Sequence, residues 1–107
     1  MTDSPVSDNK AISTSGAKGG GLGVFGGTAQ LNRSPATYNT ASGPIGWLGG
    51  GIVITDDGNL TLSSSPVLGN TASTDGGGIY NFTGSVIFQM SWVLYNQPDN
   101  CVNVPGC

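Results

Sequence analysis

Short alternations of apolar and polar residues, separated by glycine-rich turns, make up most of this chain. A first apolar run follows each of three glycine triplets, and after a turn a second run alternates with a period of two. The apolar members of the second runs are Ala29/Leu31, Leu60/Leu62 and Val86/Phe88, with Gln30, Thr61 and Ile87 between them. A third short run is centred on Ala36, Val67 or Val93. No segment combines a 3.6-residue period with helix caps, so the pattern predicts strands and no helix.

These runs recur together as a repeat of 26 to 31 residues. The glycine triplets occupy 19–21, 49–51 and 76–78, and an asparagine follows the third glycine of each by 18 or 19 residues. An upstream half-copy begins at Ser4-Pro5 and supplies a fourth asparagine. The four residues are Asn9, Asn39, Asn70 and Asn96. Repetition at this period is typical of stacked similar units rather than of one sheet with its own topology.

Three short strands in each repeat describe a coil that turns once and stacks on the next coil at ~4.8 Å. We therefore predict an all-β parallel β-helix of about three coils within residues 1–100, followed by a C-terminal loop or cap at 101–107. The coils are the repeats 4–39, 40–70 and 71–96. The four asparagines are predicted to form a ladder of side-chain amides in one corner, and the glycine triplets a corner where neighbouring backbones approach closely.

Composition excludes several classes of partner. The chain has 107 residues, three cations, no histidine and a net charge of −3, which argues against nucleic acid and against docking to an anionic membrane. No apolar run approaches the ~18 residues that a membrane span requires. The first ten residues carry no secretion signal, so we expect any signal peptide to lie upstream or to be lost.

Cys101 and Cys107 flank a segment that contains Pro105-Gly106, which can turn the chain back. A small disulfide loop is favoured over two free thiols or half of a metal site. A disulfide places the protein outside the cytoplasm, secreted or at the cell surface, and the chain is then expected to be one end of a longer protein. The segment 97–107 is expected to fold over the apolar last coil, which contains Phe88, Met90, Trp92 and Leu94.

The segment GNTASTDGGGIYN at 69–81, the TGSVIF that follows it and the later NQPDNC resemble the repeats of bacterial right-handed parallel β-helix proteins. These include polymorphic outer membrane protein repeats and secreted proteins with a pectin-lyase-like shape. The resemblance covers roughly 4–101 and implies a right-handed coil and an extracellular protein, often an adhesin. Enzymes of the family are polysaccharide lyases or hydrolases, and their catalytic residues do not map onto this chain.

Other chemical motifs have simpler interpretations. The GxGxxG at 21–26 lacks the flanking helix and distal acidic residue of a dinucleotide site. Asp56 and Asp57 are adjacent, so on an extended segment they point apart, and they suit a turn better than calcium or acid catalysis. Arg33 has no acidic cluster in register, and Asp75 occurs in one repeat only. We predict no catalytic, cofactor-binding or metal-binding residue.

The loops 10–18 and 40–48 differ from the shorter 71–75, and in a solenoid such insertions commonly build the binding surface. The second loop is unusually apolar and is the candidate ligand loop, although packing over its own coil is the simpler interpretation. Its apolar residues are Pro44, Ile45, Trp47 and Leu48.

The sequence thus favours a non-enzymatic extracellular or cell-surface module, structural or adhesive, that binds carbohydrate or a host ligand. Its open N-terminal end would join upstream coils or a second copy. The alternatives are the C-terminal remnant of a polysaccharide lyase or hydrolase, and a structural fragment without activity.

Overall fold

The computed structural model describes residues 1–12, 19–43, 49–73 and 75–107. Within these ranges the chain is all-β: it forms fourteen short strands, and none of these residues belongs to a helix that could cross a membrane. The strands are β1 (Val6–Ser7), β2 (Lys10–Ile12), β3 (Leu22–Phe25), β4 (Thr28–Asn32), β5 (Ala36–Thr37), β6 (Thr40–Ser42), β7 (Ile52–Thr55), β8 (Gly58–Ser63), β9 (Val67–Leu68), β10 (Thr71–Ala72), β11 (Ile79–Asn81), β12 (Gly84–Gln89), β13 (Val93–Leu94) and β14 (Cys101–Val102).

The strands form four sheets, and all strand pairs are parallel. Sheet I is β1-β5-β9-β13, sheet II is β2-β6-β10, sheet III is β3-β7-β11-β14 and sheet IV is β4-β8-β12. Along the chain, successive strands from β1 to β13 belong to sheets I, II, III and IV in constant rotation. Each strand therefore pairs with its equivalent in the adjacent repeat, as in the register Val6↔Ala36 and Val67↔Val93. The predicted all-β class and parallel pairing are confirmed.

Sheet II corrects the prediction of three strands per repeat. Its strands β2, β6 and β10 lie in the segments that the sequence pattern assigns to loops. Their inward side chains are alanines, of which Ala41 and Ala72 are buried and Ala11 packs against them. Because alanine contributes so little apolar contrast, the period-two signal there is too weak to distinguish a strand from a loop.

The main core lies between sheets I, III and IV. The alternation predicted for the second runs is confirmed in β8, where Leu60 and Leu62 are buried and Thr61 between them is partly exposed. In the central repeat β7 is buried on both faces, as strands of parallel sheets often are. Each fully buried aliphatic side chain contributes about 1.5–3 kcal/mol relative to an exposed one. Stacking therefore supplies a core that no single repeat has alone.

The C-terminal segment closes part of the last repeat. Strand β14 pairs with β11, Val104 is buried in the main core, and the predicted disulfide between Cys101 and Cys107 is confirmed. The predicted cover over the apolar last coil is incomplete. Gly106 and Cys107 line a cavity of about 250 Å³ with Phe88, Trp92 and Leu94, but Met90 remains 84% exposed.

Candidate functional site

A row of asparagines runs through the corner between sheets I and II. The backbone N–H and Nδ2 of Asn39 both donate to Oδ1 of Asn70, at 2.8 and 3.0 Å, and Asn70 makes the same two bonds to Asn96. Asn9 donates in the same way to Asn39. The structure therefore brings together all four asparagines that the sequence singled out, and Asn39 and Asn70 are completely buried.

Asn100 adds a fifth member that the repeat did not reveal. Its Oδ1 accepts from the N–H and Nδ2 of Asn96, each at 3.1 Å, so it takes the place that an asparagine of a further repeat would fill. It lies only four residues after Asn96, and the spacing of the repeat therefore gave no signal for it.

The residue before each repeat asparagine has a left-handed backbone. The φ angles at Asp8, Tyr38, Gly69 and Tyr95 lie between 55° and 65°. Such a residue bends the chain between sheets I and II, and the following asparagine side chain points inward. Non-glycine residues pay about 1–2 kcal/mol for this conformation, so the buried amide bonds must offset that cost.

Two of these left-handed residues are exposed tyrosines. We call Tyr38, Gly69 and Tyr95 together the tyrosine corner. Tyr38 is 66% exposed and Tyr95 is 82% exposed. The Tyr38 ring lies over Gly69, where an added Cβ would approach its Cε1 to 2.7 Å. The two tyrosines are separated by two strand spacings, a distance of about 9–10 Å. The corner thus presents two aromatic rings to solvent.

A second ladder, of serines, lies in the corner between sheets IV and I. The N–H of Ser4, Ser34 and Ser65 donates to Oγ of the serine in the next repeat, at 2.8–3.0 Å. Each of these hydroxyls donates in turn to the carbonyl two residues before it. The recurring Ser-Pro dipeptide is the signal for this ladder in the sequence, because it marks Ser4, Ser34 and Ser65.

The outer face of sheet IV carries three rows of side chains in register, all of them polar except Ile87. Successive rows are Thr28–Asn59–Ser85, Gln30–Thr61–Ile87 and Asn32–Ser63–Gln89. Ser85 Oγ donates to Asn59 Oδ1 at 2.6 Å, which fixes neighbouring polar groups at the strand spacing. Hydroxyl and amide groups repeated at about 4.8 Å form a flat surface that can donate and accept hydrogen bonds.

The ion pair between Asp3 and Arg33 links the first two repeats. Arg33 Nε and Nη2 both donate to the Asp3 carboxylate, at 2.6 and 3.0 Å. The hydrogen bonds from the guanidinium, helped by its charge, lower the pKa of Asp3 and raise that of Arg33. Both side chains are more than 60% exposed, so this pair is a solvated surface contact.

The other candidate groups do not form a site in the parts of the chain that are described. Asp56 and Asp57 occupy an exposed turn with left-handed φ angles. The GxGxxG motif at Gly21–Gly26 contains strand β3 and its two flanking glycines. No group of three or more potential metal ligands occurs among residues 1–12, 19–43, 49–73 and 75–107. The candidate ligand loop, Pro44, Ile45, Trp47 and Leu48, lies outside the described residues.

Comparison with known proteins adds no relative. No protein-family model, no curated protein and no solved structure matches this chain.

Proposed function

We propose that this chain is a right-handed parallel β-helix module of a secreted or cell-surface protein, and that it binds an extended carbohydrate without catalysing a reaction. The constant rotation of strands among four parallel sheets supports the coil. Two side-chain ladders that join every repeat in register support it further. A module of this kind holds its surface groups at fixed spacing along one axis.

The disulfide supports the proposed location. Cys101 and Cys107 form a disulfide, and disulfides form and persist in oxidising compartments but are rare where thiols are kept reduced. The few surface charges leave hydroxyl, amide and aromatic groups as the main recognition chemistry.

The observation that carries the binding proposal is the tyrosine corner. Tyr38 and Tyr95 expose flat rings with a polar hydroxyl, and the apolar faces of sugar rings stack on such rings while their hydroxyls form hydrogen bonds. Because the rings are aligned along the stack, an extended polymer can contact both. A linear chain of sugars fits this spacing better than a small charged ligand does.

A titration of oligosaccharides tests the proposal. Neutral glucan, mannan and chitin oligomers of increasing length are titrated calorimetrically into the protein, and we expect affinity to rise with length. Tyr38→Ala and Tyr95→Ala should each weaken binding about tenfold, a loss of about 1.4 kcal/mol. Phe25→Ala is the matched control, because Phe25 is 56% exposed on sheet III, away from the corner.

Trp47→Ala tests the loop that the sequence favoured. A loss of binding with Trp47→Ala but not with the tyrosine variants would move the site to that loop. Absence of binding to every oligomer would reject the carbohydrate proposal. Cleavage of a polysaccharide by this chain would reject the non-enzymatic one.

A further inference from the structure

The last repeat has an unusual surface. Of the ten large apolar side chains that are exposed in the described residues, five lie between 87 and 95. They are Ile87, Met90, Trp92, Leu94 and Tyr95. No charged residue occurs from 82 to 98. Clustered apolar exposure of this kind marks an interaction surface more often than a solvated one.

Hydrogen-bond donors accompany this apolar surface. In sheet I, and at the corner before it, three positions in each repeat donate their N–H to a carbonyl of the next repeat. The donors are Asp3, Arg33 and Ser64; Val6, Ala36 and Val67; and Asp8, Tyr38 and Gly69. The next members of these series are Met90, Val93 and Tyr95, and no described residue accepts from their N–H groups. The N–H of Ser91, next in the serine ladder, also has no described acceptor.

The opposite end of the same sheet offers the matching acceptors. At register positions equivalent to those used between repeats, these are the carbonyls of Thr2, Pro5 and Ser7 and the hydroxyl of Ser4. Strand β1 and its flanks therefore repeat the hydrogen-bonding pattern that the last repeat leaves open. Main-chain pairing to a sheet edge is a general mode of peptide recognition.

We propose that residues 90–95 of one copy, the β13 edge, bind residues 2–8 of a second copy as an added parallel strand. Met90, Val93 and Tyr95 then donate to Thr2, Pro5 and Ser7 of the second copy, and Ser91 donates to its Ser4 Oγ. Trp92 faces Pro5 and Leu94 faces Ser7. The contact is head to tail: it extends sheet I and leaves the β1 edge of the first copy and the β13 edge of the second copy free to bind further copies.

The rest of the C-terminal end limits this contact. Asn100 already occupies the next place in the asparagine row, Gln97 pairs with Thr71, and β14 covers β11. These groups fill the level that residues 9–25 of the second copy would take in a continuous stack, so pairing is confined to residues 2–8. The second copy must tilt away from sheets II and III, and the association is weak and concentration-dependent. Because each chain carries a net charge of −3 and residues 90–95 carry no charge that would pair with the second copy, added salt should screen the repulsion between copies and strengthen the contact.

Sedimentation of the full chain over a range of concentration and salt tests the proposal. We expect a monomer that assembles into dimers and longer species, with a dissociation constant lowered by salt. Leu94→Lys should raise that constant about tenfold, because an edge lysine opposes strand addition. Thr37→Lys is the matched control, since Thr37 lies in the same row of sheet I, in register with Ser7 and Leu68, but inside the sheet.

Cross-linking defines the orientation. A mixture of Ser7→Cys and Leu94→Cys proteins should form a mixed disulfide under mild oxidation, and neither variant should cross-link efficiently to itself. Preferential Leu94→Cys self-linking would indicate a tail-to-tail dimer and overturn the proposal. A monomer at about 1 mM in high salt would also overturn it. No carbohydrate is present in these measurements, so their outcome is independent of the proposed binding function.

Discussion

The third glycine of the central triplet, Gly51, lies directly against the side-chain amide of Asn70. A Cβ added at Gly51 would lie 2.8 Å from Asn70 Nδ2 and 2.7 Å from the Gly78 carbonyl oxygen. Gly21 with Asn39 and Gly78 with Asn96 have the same relationship. The two features that recur in the sequence, the triplet and the asparagine, are therefore two sides of one contact.

Gly51→Ala should destabilise the protein by about 3 kcal/mol or more, at the upper end of overpacking effects, because the methyl group meets a backbone carbonyl that cannot move alone. Urea unfolding gives the free energy. Gly27→Ala is the comparison: its Cβ meets nothing within 4 Å, and only its left-handed φ of 71° costs about 1–2 kcal/mol. Equal losses in the two variants would contradict close packing at Gly51.

Asn70→Ala should cost about 2–4 kcal/mol, because it leaves the N–H of Asn39 and the carbonyl of Ala36 buried without their partner. Asn9→Ala, at the exposed end of the row, should cost under about 0.5 kcal/mol. Equilibrium unfolding of the two variants measures the difference. If they lose the same stability, burial in the row has no special energetic role.

The Asp3 carboxyl should titrate below its ordinary pKa of 3.8, because Arg33 binds its charged form. Since the folded pKa is the lower one, the small stabilisation is present above pH 3.8 and is lost as pH falls through the folded value. Carbon-detected NMR titration of the carboxyl group measures this directly. Arg33→Gln should return the pKa of Asp3 toward the ordinary value, and an unchanged titration would contradict the ion pair in solution.

Reduction of the disulfide should lower the free energy of opening the segment 101–107 by about 2 kcal/mol, since the loop that it closes is short. The effect should be local, because Cys101–Val102 and Val104 attach the segment to β11 and the core. Hydrogen exchange should accelerate at residues 101–107 and at their contacts on β11, but not in β7 or β8. Uniform acceleration through all sheets would show instead that the disulfide supports the whole stack.

Prediction from sequence was most successful where a local pattern carries the information. Alternation assigned the inward faces of β4 and β8, and the cysteine spacing gave the disulfide. It failed for β2, β6 and β10, where the inward residue is alanine and gives little contrast with its neighbours. It also gave no warning of Asn100, whose place in the row depends on how the chain folds back after Asn96.

The sequence by itself determined the period, the strand-forming runs and the positions at which glycine and asparagine recur, because these depend on local backbone preferences and on alternation of side chains. Only the tertiary structure decided which groups meet between repeats. The Gly51–Asn70 contact, the serine ladder, the exposed Tyr38 and Tyr95 and the open edge at 90–95 all follow from the vertical register of the stack. Register is set by contacts between residues about 30 positions apart, and no short window of sequence contains them.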